Sequence, residues 1–415
     1  MSRTASTTNS ALPLIVHLVY RFGVGGLENG IVNLINHMPE ARYRHAIVSL
    51  TDHSDFTERL WRSDVQVIDL HKRRGHDLSW MSRFWRVLRQ LRPDIVHSRN
   101  LAALEGQVIA AAAGVAGRVH GEHGRDVFDL QGKNLKYNLL RKAIRPLVHR
   151  YITVSRDLQN WLQETLGVDP DRISQIYNGV ESERFHPRSE ARGEFGPPGF
   201  AGEQTLIIGS VGRMEAVKDF PNLVRAFLHL LKTEPGAQER LRLVIVGNGP
   251  SRNECLGLLA GAGAQSLAWL PGERSDVDVL MRGMDLFVLA SLGEGISNTI
   301  LEAMASGLPV VATRVGGNLE LVGPQKNGLL VPPADPVALA QALRVYWLNP
   351  QMSADHGRAS RVTVESRFSI PSMVNEYLRV YDHVLKIGPQ NSAPLYMDAA
   401  GATHGGGSEP GSNRS

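Results

Sequence analysis

The sequence predicts an α/β protein built as two parallel-sheet domains facing a cleft. Three observations carry that expectation. Short Val, Ile and Leu runs alternate with segments of helical spacing along most of the chain. The runs are apolar at consecutive positions, as strands covered on both faces must be. A chain of 415 residues exceeds what a single core usually serves, so two domains of ordinary size are expected.

Taken in order, the first half offers strands near 13–20, 44–50, 65–70, 94–99, 117–122, 150–155 and 173–177. The second half offers them near 205–211, 242–247, 267–270, 286–290, 309–313 and 328–331. Between them, segments 79–91, 156–166, 220–233 and 336–348 repeat apolar residues at the spacing of a helix face. A further helix is expected to start at Ser297 or Asn298, both good N-caps, and to close at Gly307. Pro371 opens a last helix, which carries Tyr377 and Tyr381. The stretch from His186-Pro187 to Gly196-Pro197-Pro198-Gly199 reads as a linker. The expected division is a disordered leader at 1–12, a first domain at 13–187, a linker at 188–204 and a second domain at 205–370, followed by the last helix at 371–386 and a low-complexity tail at 387–415.

Hydrophobic content of 42% and charged content of 21% fit a soluble globular protein. The single cysteine, Cys255, excludes an intramolecular disulfide and points to a reducing compartment. No apolar run reaches the roughly 18 residues of a membrane span. The first residues lack the apolar core of a signal peptide, so the expected location is the cytoplasm. Net charge is only +4, yet residues 133–150 hold Lys133, Lys136, Arg141, Lys142, Arg145 and Arg150 with no acid. Leucines and isoleucine recur among these cations at helical spacing, which gives an amphipathic basic helix. Such a helix suits an anionic membrane surface, with Lys136, Arg141, Lys142 and Arg145 as contacts; the plainer reading is a domain helix with a solvated face. Nucleic acid is not expected as a partner, because aromatic residues are few there.

The densest motif is Gly293-Glu294-Gly295-Ile296-Ser297-Asn298, with Glu302 following one turn into the helix. Free backbone N–H groups at a helix mouth bind anions, and two carboxylates beside them suit a ligand that is part phosphate and part polyhydroxyl. A nucleotide sugar has that make-up. Arg213 and Lys218 leave one loop after Gly212, and an Arg fork with a Lys point charge matches a diphosphate. Gly25 and Gly26 let the backbone approach a phosphate or sugar, while Glu28 stands where a dinucleotide fingerprint needs glycine. Gly247 and the pair Gly316-Gly317 turn two more strand ends toward the same crevice. His120 and His123 would point to opposite faces of a strand, so a metal site is not expected and His123 reads as a crevice residue. No Gly-x-Ser-x-Gly elbow occurs, and Cys255 has no evident histidine partner.

The order Gly25-Gly26, His123, Asn178-Gly179-Val180, Arg213 to Lys218, Glu294 to Glu302 and Gly316-Gly317 resembles glycosyltransferase family 4. The resemblance runs from about 13 to 386 and is greatest to the sugar transferases of PEP-CTERM/exosortase exopolysaccharide clusters. It implies retaining, metal-independent enzymes of two Rossmann-like domains facing a cleft, the glycosyltransferase-B fold, with an acceptor-binding first domain and a donor-binding second. The co-substrate implied is a nucleoside diphosphate sugar, with no further cofactor, and the acceptor a glycan or lipid-linked saccharide. By the same resemblance Arg213 and Lys218 would hold the donor diphosphate, Glu294 the transferred sugar and Glu302 the ribose. Gly26 would lie near the diphosphate, and His123 near sugar and acceptor. Gly25, Gly212, Gly247, Gly295, Ile296, Ser297 and Asn298 would complete the donor site, and the last helix would cross back to the first domain. Competing readings are a nucleotide-sugar epimerase of the same architecture, a nucleotide-dependent oxidoreductase and a non-catalytic binding protein.

Overall fold

The computed structural model describes residues 12–386, apart from 76, 127, 203, 324 and 325. The expected tail, and the expected leader apart from Leu12, lie outside these described residues. The first sheet contains β1 (Leu14–Val19), β2 (Arg44–Ser49), β3 (Gln66–Asp69), β4 (Ile95–Arg99), β5 (Gly117–Glu122), β6 (Arg150–Thr153) and β7 (Ile173–Gln175). The second contains β8 (Leu206–Val211), β9 (Leu241–Val246), β10 (Ala268–Gly272), β11 (Leu286–Leu289), β12 (Val310–Thr313) and β13 (Gly328–Val331). Every strand falls on an expected apolar run.

All strand pairs are parallel, in the orders β3-β2-β1-β4-β5-β6-β7 and β10-β9-β8-β11-β12-β13. Each order reverses once, between β1 and β4 and between β8 and β11. Crossover helices leave such a point on opposite faces of the sheet, which opens a crevice at the carboxyl ends of the two strands. The loops holding Gly25-Gly26, Arg213 to Lys218 and Glu294 follow β1, β8 and β11. Both motif halves therefore sit at switch points.

The helices keep the spacing the sequence predicts. Ser79–Leu91 buries Trp80, Phe84 and Leu88, at four-residue intervals, against the first sheet. Phe220–Thr233 buries Leu223, Phe227 and Leu230, at intervals of four and three, against the second sheet. The helix Ile370–Leu385 packs Ile370, Tyr377 and Tyr381 against Ile15, Ile95 and Val119 of the first sheet. Arg42 and Tyr43 both donate to Asp382, at 2.6 and 2.7 Å. Among the described residues of 188–204, between the sheets, there is neither helix nor strand, and Arg192 pairs with Asp285 of the second sheet's domain.

The basic segment requires a correction. Its helix is Leu135–Ile144, and Arg141 points inward. Arg141 Nε lies 3.0 Å from Glu122, its Nη2 3.1 Å from Asp126, and its guanidinium 4.9 Å from the Trp161 ring centre. Burial of an arginine demands carboxylate partners, and here they come from β5 and the loop after it. Arg145 donates to the carbonyls of Leu166 and Gly167, closing the end of helix Arg156–Leu166. Neither is available to a membrane. The outward face carries Lys136 and Lys142 together with Leu135 and Leu139, 78% and 66% exposed, and Phe128 beside them is 69% exposed.

Candidate active site

The two switch points face one another across a cavity of about 1080 Å³. That is slightly above the ~300–1,000 Å³ usual for small-molecule sites. The first domain contributes Gly25, Gly26, Arg59 and His123; the second contributes Gly212, Arg213, Lys218, Gly247, Glu294 to Asn298, and Glu302. Every donor or catalytic position expected from the sequence lines this cavity. The four positions expected at a membrane do not.

The helix carrying Glu302 is Asn298–Ala305, and Ser297 Oγ accepts from the Ile300 N–H at 3.2 Å. Gly307 has φ +71°, the left-handed position that ends it. Loop packing explains the other glycines. A Cβ at Gly316 would collide with the Glu294 carbonyl, and one at Gly247 with the Gly212 carbonyl. Gly316 thus packs closely on the Glu294 loop while also lining the cavity.

Lys218 Nζ donates to Glu294 Oε1 at 2.6 Å, and Ser291 Oγ donates to the same oxygen at 2.6 Å. Burial pushes the Glu302 carboxyl up to about 7, against the opposing pull of Arg184 and Arg59. Burial, and then the nearby Arg99 charge, hold the His123 imidazole well below its ordinary range, so it is neutral. Its Nε2 is buried without a partner, while its backbone N–H donates to Asn100 Oδ1 at 2.8 Å. Behind it runs a row of buried imidazoles that the sequence reading missed. Arg99 Nη1 donates to His17 Nδ1 at 3.0 Å, so His17 presents Nε2–H to His45 Nδ1, also at 3.0 Å. His97 Nδ1 shares a 2.8 Å hydrogen bond with Tyr381 of the last helix. Histidines at positions 17, 45, 97 and 120, one in each of four strands, were the available signal.

The domains meet closely around the motif. Asn298 donates from Nδ2 to the Gly26 carbonyl at 2.9 Å and accepts at Oδ1 from Asn178 at 2.7 Å. A Cβ at Gly295 would collide with the His123 carbonyl. Glu320 accepts from the Arg156 and Asp157 N–H groups at the start of the helix Arg156–Leu166. Tyr177 donates to its other oxygen at 2.7 Å.

Two parallel-sheet domains whose switch points face one another across a cavity define the class: the glycosyltransferase-B fold. Residues 24–184 match the family model described as Glycosyltransferase Family 4, and residues 205–349 match the one described as Glycosyl transferases group 1. The chain belongs to that family of glycosyltransferases. It is 32% identical over 222 residues to the D-inositol 3-phosphate glycosyltransferase of Saccharomonospora viridis, covering 51% of this chain and 50% of the relative. It is 27% identical over 266 residues to the N-acetyl-alpha-D-glucosaminyl L-malate synthase of Bacillus anthracis, covering 64% and 67%. The chain thus spans about half the length of the inositol-phosphate relatives it matches. Among solved structures, a glycosyltransferase from Rickettsia africae superposes with a TM-score of 0.75 at 22% identity, covering 91% of this chain and 99% of that one. Anabaena HepE in complex with UDP and glucose superposes with 0.74 at 18%, covering 89% and 99%.

Proposed function

We propose that this chain transfers a hexose-type sugar from a nucleoside diphosphate sugar to a glycan or lipid-linked acceptor, with retention, in exopolysaccharide or cell-surface glycan synthesis. The observation that carries the reading is the meeting of Arg213, Lys218, Glu294 and Glu302 in one cleft, beside the mouth of helix Asn298–Ala305. Two cations and a helix N-terminus suit a diphosphate; two carboxylates suit hydroxyls.

In this reading the diphosphate lies between Arg213, the Gly25-Gly26 turn and the N–H groups around Ser297. Lys218 both orients Glu294 and counters the charge of the departing phosphate. Glu294 accepts from hydroxyls of the transferred sugar, and Glu302 from the ribose. His123, neutral, hydrogen-bonds the sugar or acceptor without adding charge. The reaction is a front-face substitution in which the leaving phosphate oxygen takes the acceptor proton. No side chain need form a bond to the sugar, and the protein's work is positioning and stabilising separated charge. The first domain, 13–187, would receive the acceptor and the second, 205–370, the donor. The epimerase alternative draws no support from the relatives named above, whose names describe glycosyl transfer or synthesis.

We assign the face bearing Phe128, Leu135, Leu139, Lys133, Lys136 and Lys142 to an anionic bilayer, with the enzyme peripheral on the cytoplasmic side. Among the described residues no helix is long and apolar enough to cross a membrane. Exposed apolar side chains ringed by lysines match an interface where anionic headgroups overlie acyl chains. Leu130 of the adjoining loop packs toward Gly293, so the face adjoins the cleft.

The test of the transfer itself is a panel of UDP-, GDP- and ADP-sugars read by thermal shift and then by release of nucleoside diphosphate with polyprenyl-linked saccharides. A productive donor stabilises the fold by mass action and turns over only with acceptor. Turnover without any acceptor, with the sugar inverted at one carbon, would select the epimerase.

A further inference from the structure

Among the charged groups that line the cleft, two clusters stand apart. One is Lys218 with Glu294. The other gathers Glu302, Glu181, Arg184 and Arg59, which all line the cavity and lie close enough for Arg59 and Glu302 to sense the other charges. Arg59 ends the turn Asp55–Arg59 of the first domain, Glu181 and Arg184 come from that domain's last stretch, and Glu302 comes from the second domain.

Arg59 is firmly held. Its carbonyl accepts from Asn36 Nδ2 at 2.9 Å, its Nη1 donates to Asn29 Oδ1 at 2.7 Å, and its guanidinium lies 5.2 Å from the Phe56 ring centre. Among the described residues no carboxylate lies within 4 Å of it, in contrast to Arg184, which pairs with Asp278 at 3.3 Å. A guanidinium has five N–H donors, and a neutral amide and an aromatic face fix its plane without cancelling its charge. One turn along from Asn29, Asn33 lines the same wall, buried, with its Oδ1 unpartnered. Phosphate is a poor occupant here, because Glu181 and Glu302 stand beside Arg59. A neutral group rich in oxygen acceptors fits.

We propose that Arg59 is a specificity and positioning residue that clamps the nucleoside half of the donor, so that the nucleoside bridges the domains between Arg59 and Glu302. The inference rests on the donor reading above. The bound nucleoside thereby adds a link between domains that already meet at Asn298, Gly26 and Asn178, and it retains the donor in the cleft.

The experiment uses the full chain, with Arg59→Ala and Arg59→Lys. Affinities are measured for the nucleoside diphosphate that binds best among UDP, GDP and ADP, and for inorganic diphosphate in competition. Loss of a charged hydrogen bond should weaken the nucleoside diphosphate by about tenfold to a hundredfold in Arg59→Ala. Inorganic diphosphate should move by less than about twofold, and Arg59→Lys should fall between. Donor KM should rise in parallel while kcat at saturating donor stays within about threefold. The unliganded melting temperature reports whether the fold is intact. Unchanged nucleoside diphosphate affinity, or equal loss for both ligands, overturns the clamp while leaving the donor reading standing. Failure of the wild-type chain to bind any of the three nucleotides overturns the donor reading, and the clamp with it.

Discussion

Lys218 and Glu294 form a 2.6 Å ion pair across two loops that leave adjacent strands, β8 and β11. With side chains 24% and 9% exposed, the two groups depend on each other, because removal of the cation leaves a mostly buried carboxylate with only Ser291 for a partner. Lys218→Ala should therefore lower both thermal stability and turnover. The double variant Lys218→Ala/Glu294→Ala should recover stability and stay inactive. A coupling of about 1–3 kcal/mol in a double-mutant cycle of unfolding is expected, less than for a fully buried pair because Lys218 is partly solvated. Additive stability effects would mean that the two residues are independent.

Glu294→Ala should reduce turnover by about a hundredfold or more while the fold is retained, as removal of a group that acts on the transition state does. Near-normal transfer with a competent donor and acceptor would remove Glu294 from the site.

Glu302 has a folded pKa of about 7, raised from 4.5 by burial. A raised carboxyl binds its proton more tightly folded than unfolded. Its effect on stability is absent below the unfolded value, becomes an increasing penalty between roughly 4.5 and 7, and is constant above that. Glu302→Gln should thus stabilise the protein more at pH 8 than at pH 5, with the difference developing in that window. If the ionised form receives the ribose, donor KM in the wild type should rise as pH falls below about 7, and Glu302→Gln should flatten that dependence. Parallel pH profiles for both proteins would exclude Glu302 as the titrating group.

Glu320 joins the domains by accepting from two N–H groups at the start of helix Arg156–Leu166, where a carboxylate also meets the positive end of the helix dipole. Glu320→Ala should cost about 1–2 kcal/mol of stability, a capping-scale loss. It should also raise donor KM by loosening closure, seen as a larger radius of gyration in solution scattering. An unchanged radius in the variant would confine Glu320 to a local cap.

The strands were legible because each centres on a short Val, Ile or Leu run, as strands covered on both faces do, and the cleft because its motifs follow strand ends. What was not legible depended on distant partners. The acids that neutralise Arg141 stand at 122 and 126, outside the basic run, so a local charge count left the arginine unpaired. The helix phase did hold a signal: at 100° per residue, Leu135 and Leu139 lie opposite the buried Ile144. The pairing of Lys218 with Glu294 spans 76 residues and needs the β8–β11 adjacency, which no spacing encodes. Arg59 sits in a short turn with no periodicity, so nothing marked it as a cleft residue.

That helix phase also separates two kinds of membrane contact. If cations alone mediated binding, Lys136→Gln/Lys142→Gln would abolish it, and high salt would release the wild type entirely. With Phe128, Leu135 and Leu139 presented outward, about 1 kcal/mol per lysine adds to the burial of apolar side chains worth about 1.5–3 kcal/mol each. Leu135→Ser/Leu139→Ser should therefore reduce co-sedimentation with vesicles of anionic phospholipid at least as much as loss of the two lysines. Neither double variant should change turnover of a water-soluble acceptor analogue, since both positions lie outside the cleft. Arg141→Gln should behave differently: it strips Glu122 and Asp126 of their buried cation, so the loss appears as a lower melting temperature. Vesicle binding that is unaffected in the leucine variant would rule out this face as the contact.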